Sequence, residues 1–165
     1  MQQVSEVKHN SIDELEAALL GNFETVDCPV THRFTEGMYI REIFMPKGSV
    51  VTSLIHKTNH PFFILKGKVS VFSENDGKQL LEAPYVGITT PNTRRVLKIH
   101  EDCIWATCHP TDIQPKDNSE ESILEAVNLV RDAIIEPHEN SVLMATIINN
   151  KITNNINSSV CHGQQ

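Results

Sequence analysis

The spacing of apolar residues changes twice along the chain. Residues 11–20, SIDELEAALL, predict a short helix, with Ser11 and Glu14 spaced as a capping box and Gly21 as its stop. From 38 to 110, β-branched and aromatic residues recur in short runs broken by turn residues. The runs predict strands over 38–45, 49–56, 60–65, 68–73, 78–82, 85–90, 94–100 and 103–109. Pro46-Lys47-Gly48, Lys66-Gly67, Asn75-Asp76-Gly77, Pro91-Asn92 and Glu101-Asp102 separate them, and Asp76-Gly77 is the strongest hairpin signal. Such short strands, about ten residues apart, suggest a closed all-β barrel or sandwich. After Pro115, Ile123, Val127, Val130 and Ile134 follow the helical period, with Asn118 or Ser119 as cap and Pro137 as stop. A second helix over 140–157 is a weaker expectation, and the polar, Asn-rich end should fray. The expected organisation is therefore a helical arm over 1–30, a barrel over 31–112 and a helical, polar-tailed segment over 113–165.

Composition narrows the class. The 165 residues are 39% hydrophobic and 21% charged, which suits one soluble globular domain. No apolar run reaches the roughly 18 residues of a membrane helix, and the N-terminus has no signal-type stretch. Cys28, Cys103, Cys108 and Cys161 form no CxxC pair, so reduced thiols are expected rather than a disulfide scaffold.

The net charge of −7 is unevenly spread. Residues 1–30 carry one base against six acids, residues 31–100 ten against five, and residues 101–165 three against ten. Acidic flanks could dock on the basic middle, or the middle could attract an anionic ligand. Nucleic acid is not an expected partner, because no basic cluster is interleaved with aromatics.

Candidate chemistry centres on His56 and His60. His56 shares strand parity with Leu54, and His60 opens the next strand after Lys57-Thr58-Asn59. That bend can aim both imidazoles at one interior point, where a divalent metal such as Zn, Fe, Ni or Mn would suit them. His100 or Cys108 could complete the site, whereas His9, His32, His109, His138 and His162 look incidental. Arg94 and Arg95 start a strand, so one of them should face inward. It could fork onto a phosphate or carboxylate, or pair with a barrel acid such as Glu42 or Glu82. Trp105 reads as core or interface. Nucleophile elbows, phosphate loops and dinucleotide fingerprints are all missing from the sequence.

The stretch Gly48-x7-His56-x3-His60-x6-Gly67 resembles the first motif of the cupin superfamily, and Gly87 and Pro91 loosely resemble the second. CPVTHRF at 28–34, GMYIREIFMPKG at 37–48, HKTNH at 56–60 and IHEDCIWATCHPTD at 99–112 together resemble small cupins carried by phages and prophages. The resemblance covers residues 28–112 and implies a mainly β, cupin-type jelly-roll barrel. It places the family's three central histidines on Leu54, His56 and His60, and an acid on Asn59, so the implied metal site is degenerate, with two histidines.

The expected function is a phage-type binding module rather than a catalyst. One alternative is a virion structural or assembly protein using the barrel as a rigid block. Another is a metal-dependent enzyme acting on a small anionic substrate, and a third is capture of a signalling nucleotide. The expected partners are a second copy, other phage proteins or a small anion. The expected setting is the host cytoplasm or the virion.

Overall fold

The computed structural model describes residues 10–137, 149–150 and 159–163. Helix α1 (Asn10–Asn22) is followed by β1 (Phe23–Cys28), β2 (Val30–Thr35), β3 (Met38–Met45), β4 (Ser49–Thr52), β5 (His60–Ser73), β6 (Gly77–Glu82), β7 (Tyr85–Thr89) and β8 (Arg95–Pro110). Helix α2 (Glu120–Ile134) comes next, then the short strands β9 (Asn149–Asn150) and β10 (Ser159–Gly163).

The expected pattern holds best where it is most periodic. The strand over 38–45 and the helix after Pro115 match β3 and α2, whose first turn is capped by Ser119 Oγ accepting from Ser122 N at 3.2 Å. The hairpin at Asp76-Gly77 joins β5 to β6, with Ser73 opposite Gly77. Gly77 takes φ +68°, which the turn requires and which glycine adopts without strain.

Five differences from these expectations stand out. Lys66-Gly67 and Glu101-Asp102 are not turns, because β5 and β8 run through them as long strands whose mutual register shifts near Lys66 and Lys68. At Gly67 the backbone has φ +93°, and a Cβ would lie 2.4 Å from the Asp102 carbonyl oxygen, so the strands touch there only because no side chain intervenes. The sheet also begins earlier than expected, at Phe23, and His32 lies on β2 rather than in a loop. Helix α1 starts before Ser11 and passes through Gly21, and Ser11 Oγ donates instead to the Glu74 carboxylate. Of the helix expected over 140–157, only Asn149–Asn150 is described, and it is strand. Finally, Cys28 is disulfide-bonded, which corrects the expectation of four reduced thiols; Cys103 and Cys108 are free.

Strand β8 organises the sheet. One of its edges pairs with β3 and β4, and the other pairs with β5, which also carries β6 and β7. Ile43, Met45, Phe62, Ile64, Val69, Leu97, Ile99 and Trp105 form the core between these layers. Phe62 stacks on Trp105 with ring centres 4.4 Å apart. A second cluster, built on Tyr39, Val127 and Val130, fastens α2 over one end of the barrel. Among the described residues no helix is long and apolar enough to cross a membrane.

Candidate functional site

Strand alternation selects what faces the interior. Along β8, Cys103, Trp105, Thr107 and His109 share one parity and are all buried. Thr107 lies opposite Phe62 of β5, so the next inward positions along the two strands are His109 and His60. His56 comes from the segment between β4 and β5. There the chain leaving α2 straps it in place, because Lys57 N donates to Ile134 O at 2.8 Å and Glu136 N donates to Ile55 O at 2.8 Å.

The three imidazoles meet. Ring centres are 4.3 Å apart for His56–His60, 4.4 Å for His60–His109 and 5.5 Å for His56–His109. One nitrogen from each lies within 4.8 Å of the others. His60 Nδ1 is 3.3 Å from the Thr58 carbonyl oxygen, which can only accept, so Nδ1 donates and Nε2 keeps its lone pair. His109 Nε2 contacts Thr107 Oγ1 at 3.0 Å, while its Nδ1 is buried without a hydrogen-bond partner.

These rings are neutral at ordinary pH. Burial, followed by the neighbouring His60 and His109, pushes His56 down to about 2. Burial, then His60 and Arg41, pushes His109 down to about 3. Burial also lowers His60, against the opposing hydrogen bond to Thr58. Neutral imidazole is the metal-binding form, and a buried nitrogen without a partner is a vacant donor position. The set therefore fits one divalent metal, held by His56, His60 and His109.

The structure brings His56 and His60 together and adds His109, which the sequence reading treated as incidental. The available signal was parity with Trp105 along one strand. His100 and Cys108 stay out of the cluster: His100 Nε2 contacts Ser70 Oγ at 2.7 Å, and Cys108 has the outward parity of β8. Leu54 is buried in the cavity wall next to His56.

Arg94 and Arg95 part company. Arg95 lines the cavity, where its Nη1 donates to Thr89 Oγ1 at 2.7 Å and its guanidinium lies 5.1 Å from the Phe62 ring centre. Arg94 points to the other face and is fully buried between Asp13 and Glu16 of α1. It anchors the helix and does not reach the cavity. Glu42 and Glu82, the acids considered as partners for the inward-facing arginine, lie near Arg33 and Lys68 instead.

Around the imidazoles is a cavity of about 120 Å³. Its wall includes Tyr39, Arg41 and Arg131, which the sequence reading did not single out, together with apolar side chains such as Ile43, Leu54 and Trp105. Tyr39 is held by His32 Nδ1 at 2.7 Å from its hydroxyl, and burial pushes it up to about 12, so it stays protonated. A mainly β architecture, two long strands shared between layers and a cavity at one end give the chain the cupin-type jelly-roll fold that its motifs imply.

No family model matches the chain, and no curated protein matches it. Several solved structures are similar. A cupin-2 domain protein from Shewanella frigidimarina is 13% identical, with 62% of this chain and 93% of that one covered at a TM-score of 0.42. An RmlC-like cupin with a double-stranded β-helix fold from Methanocaldococcus jannaschii is 14% identical, with 67% and 92% covered at 0.44. The cupin domain of Schizosaccharomyces pombe Cnp3 is 20% identical, with 53% and 65% covered at 0.44.

Proposed function

We propose that this chain is a cupin-type binding module in which His56, His60 and His109 hold one divalent metal beside a small ligand cavity. The convergence of three neutral, buried imidazoles carries the reading. The metal would supply a Lewis-acidic anchor for a ligand atom. The chain's own residues would orient that ligand and keep water out: α2 and the strap after it cover the site, and Leu54 and Trp105 supply apolar walls.

Binding is favoured over proton-transfer catalysis. No carboxylate and no cysteine line the cavity among the described residues. Imidazoles as depressed as His56 and His109 are weak bases, and Tyr39 keeps its proton. The motif resemblance supports a phage or prophage setting. A structural role as a self-associating block is the second reading, supported by Leu80, Val86 and Ile88, which are exposed on β6 and β7.

Metal content per chain tests the main reading. Untagged protein should carry about one divalent ion, and His60→Ala and His109→Ala should each lose it. Protein that stays metal-free after incubation with Zn, Fe, Ni and Mn salts would overturn the metal site.

A further inference from the structure

The cavity wall is unbalanced in charge. Arg41, Arg95 and Arg131 all line it, and no Asp or Glu does among the described residues. Arg33, Arg94 and Lys116, by contrast, each have a carboxylate partner within 4 Å, whereas Arg41 and Arg131 have none among the described residues. Arg41 Nε is buried and makes no hydrogen bond; Arg94 Nε makes none either, but Arg94 has two carboxylates on its terminal nitrogens and Arg41 has none among the described residues. Burial disfavours the charge on Arg41 most, Tyr39 beside it favours that charge, and Arg131 lies close enough to disfavour it further. Asp76 is near enough to favour the charge on Arg95, but it is engaged with Ser73 in the β5–β6 turn. Two like charges sharing a half-closed, largely apolar space are unfavourable unless an anion joins them. The same guanidiniums also oppose a bare metal cation at the histidines, and a bound anion would relieve both conflicts.

We infer that the cavity takes a small organic carboxylate, its head held between the guanidiniums of Arg41 and Arg131 and its apolar body lying against Leu54, Ile43 and Trp105. This deepens the binding-module reading and rests on that reading of the cavity. A carboxylate suits the planar guanidinium fork, which offers two parallel donors. The apolar share of the wall suits a hydrocarbon body better than a fully hydrated oxyanion such as phosphate. A volume of about 120 Å³ suits a body of a handful of carbons. Arg95 also lines the cavity, but its guanidinium is engaged by Thr89 Oγ1 and the Phe62 ring, so the head group is assigned to Arg41 and Arg131.

Trp105 is the sole tryptophan and lines the cavity, so its fluorescence reports occupancy. The probes are isovalerate, its neutral counterpart 3-methylbutanol and inorganic phosphate, each titrated into metal-free and Zn-loaded protein, with calorimetry in parallel. Isovalerate should saturate the signal and bind at least about tenfold more tightly than the alcohol or phosphate. Arg131→Gln should weaken isovalerate by about tenfold while leaving metal content unchanged, and Arg41→Gln should do the same if it folds. Arg33→Gln, outside the cavity, should leave binding unchanged. Equal binding of isovalerate and the alcohol, tighter binding of phosphate, or indifference to Arg131→Gln would overturn the proposal. Metal content is read separately: carboxylate binding without metal removes only the metal site, and metal without carboxylate binding removes only this inference.

Discussion

Arg94 and Arg95 are adjacent in the chain, yet they end in surroundings of opposite charge balance. Arg94 is fully buried beneath α1, where Asp13 and Glu16, three residues apart on one helix face, both reach its guanidinium. Thr52 Oγ1 donates to Glu16 at 3.2 Å and completes the seat. Arg95 lines the cavity with Arg41 and Arg131, where three guanidiniums and three imidazoles share one wall and no carboxylate lines it among the described residues. In the first region the charge is compensated from within the chain, although Arg94 Nε makes no hydrogen bond, and the region serves the fold. The second leaves charge uncompensated, which a chain of net charge −7 had acids enough to avoid. Uncompensated charge inside a cavity is costly, and a bound anion would offset that cost.

Removing Arg94 should produce the largest effect. Arg94→Ala strands the buried Glu16 carboxylate and should cost about 3–5 kcal/mol in chemical denaturation. Coupling it to Glu16→Leu, as Arg94→Met/Glu16→Leu, should recover most of that loss. A single variant as stable as the wild type would erase the contrast between the two regions.

Acidification probes the cavity side. In metal-free protein, His56 and His109 remain neutral when folded, down to about 2 and about 3, but take up protons near 6.5 when unfolded. The unfolded state therefore binds more protons in that interval. The contribution of these two rings should be constant well above about pH 6.5 and fall below it by about 2–3 kcal/mol per pH unit, about 1.4 for each ring. Glu16, which burial raises against the pull of Arg94, has the opposite pH dependence, so His56→Gln/His109→Gln isolates the imidazoles. That variant should show a flatter profile; an unchanged one would place the titrating groups elsewhere.

The smallest expected change is a gain. Arg41→Leu removes a guanidinium that has no carboxylate partner among the described residues and should raise the stability of ligand-free protein by about 1 kcal/mol in thermal melts. A loss of several kcal/mol would mean that Arg41 is as well compensated as Arg94.

Regular periodicity made much of the molecule legible from residues alone. The 3.6-residue spacing from Ile123 to Ile134 marked α2 and its buried stripe, and alternation marked β3 to its last residue. The Asp76-Gly77 hairpin was readable because turn chemistry is local. Lys66-Gly67 and Glu101-Asp102 misled because the same residue types also allow two long strands to bulge past one another, and only the partner strand distinguishes the two uses. His56 and His60 could be paired from a short bend. His109, some fifty residues further on, could not be paired by spacing, since its proximity depends on how β8 lies against β5.

By itself, then, the sequence determined the class of elements, their order, and which positions alternate between core and surface. These follow from side-chain period and turn chemistry, which act over a few residues. The tertiary structure alone decided that His109 joins His56 and His60, that Arg94 goes to the helix and Arg95 to the cavity, and that Arg41 and Arg131 share that cavity. Those outcomes depend on strand register and on the chain after α2 strapping down His56. Both are set by long-range packing, which no local spacing records.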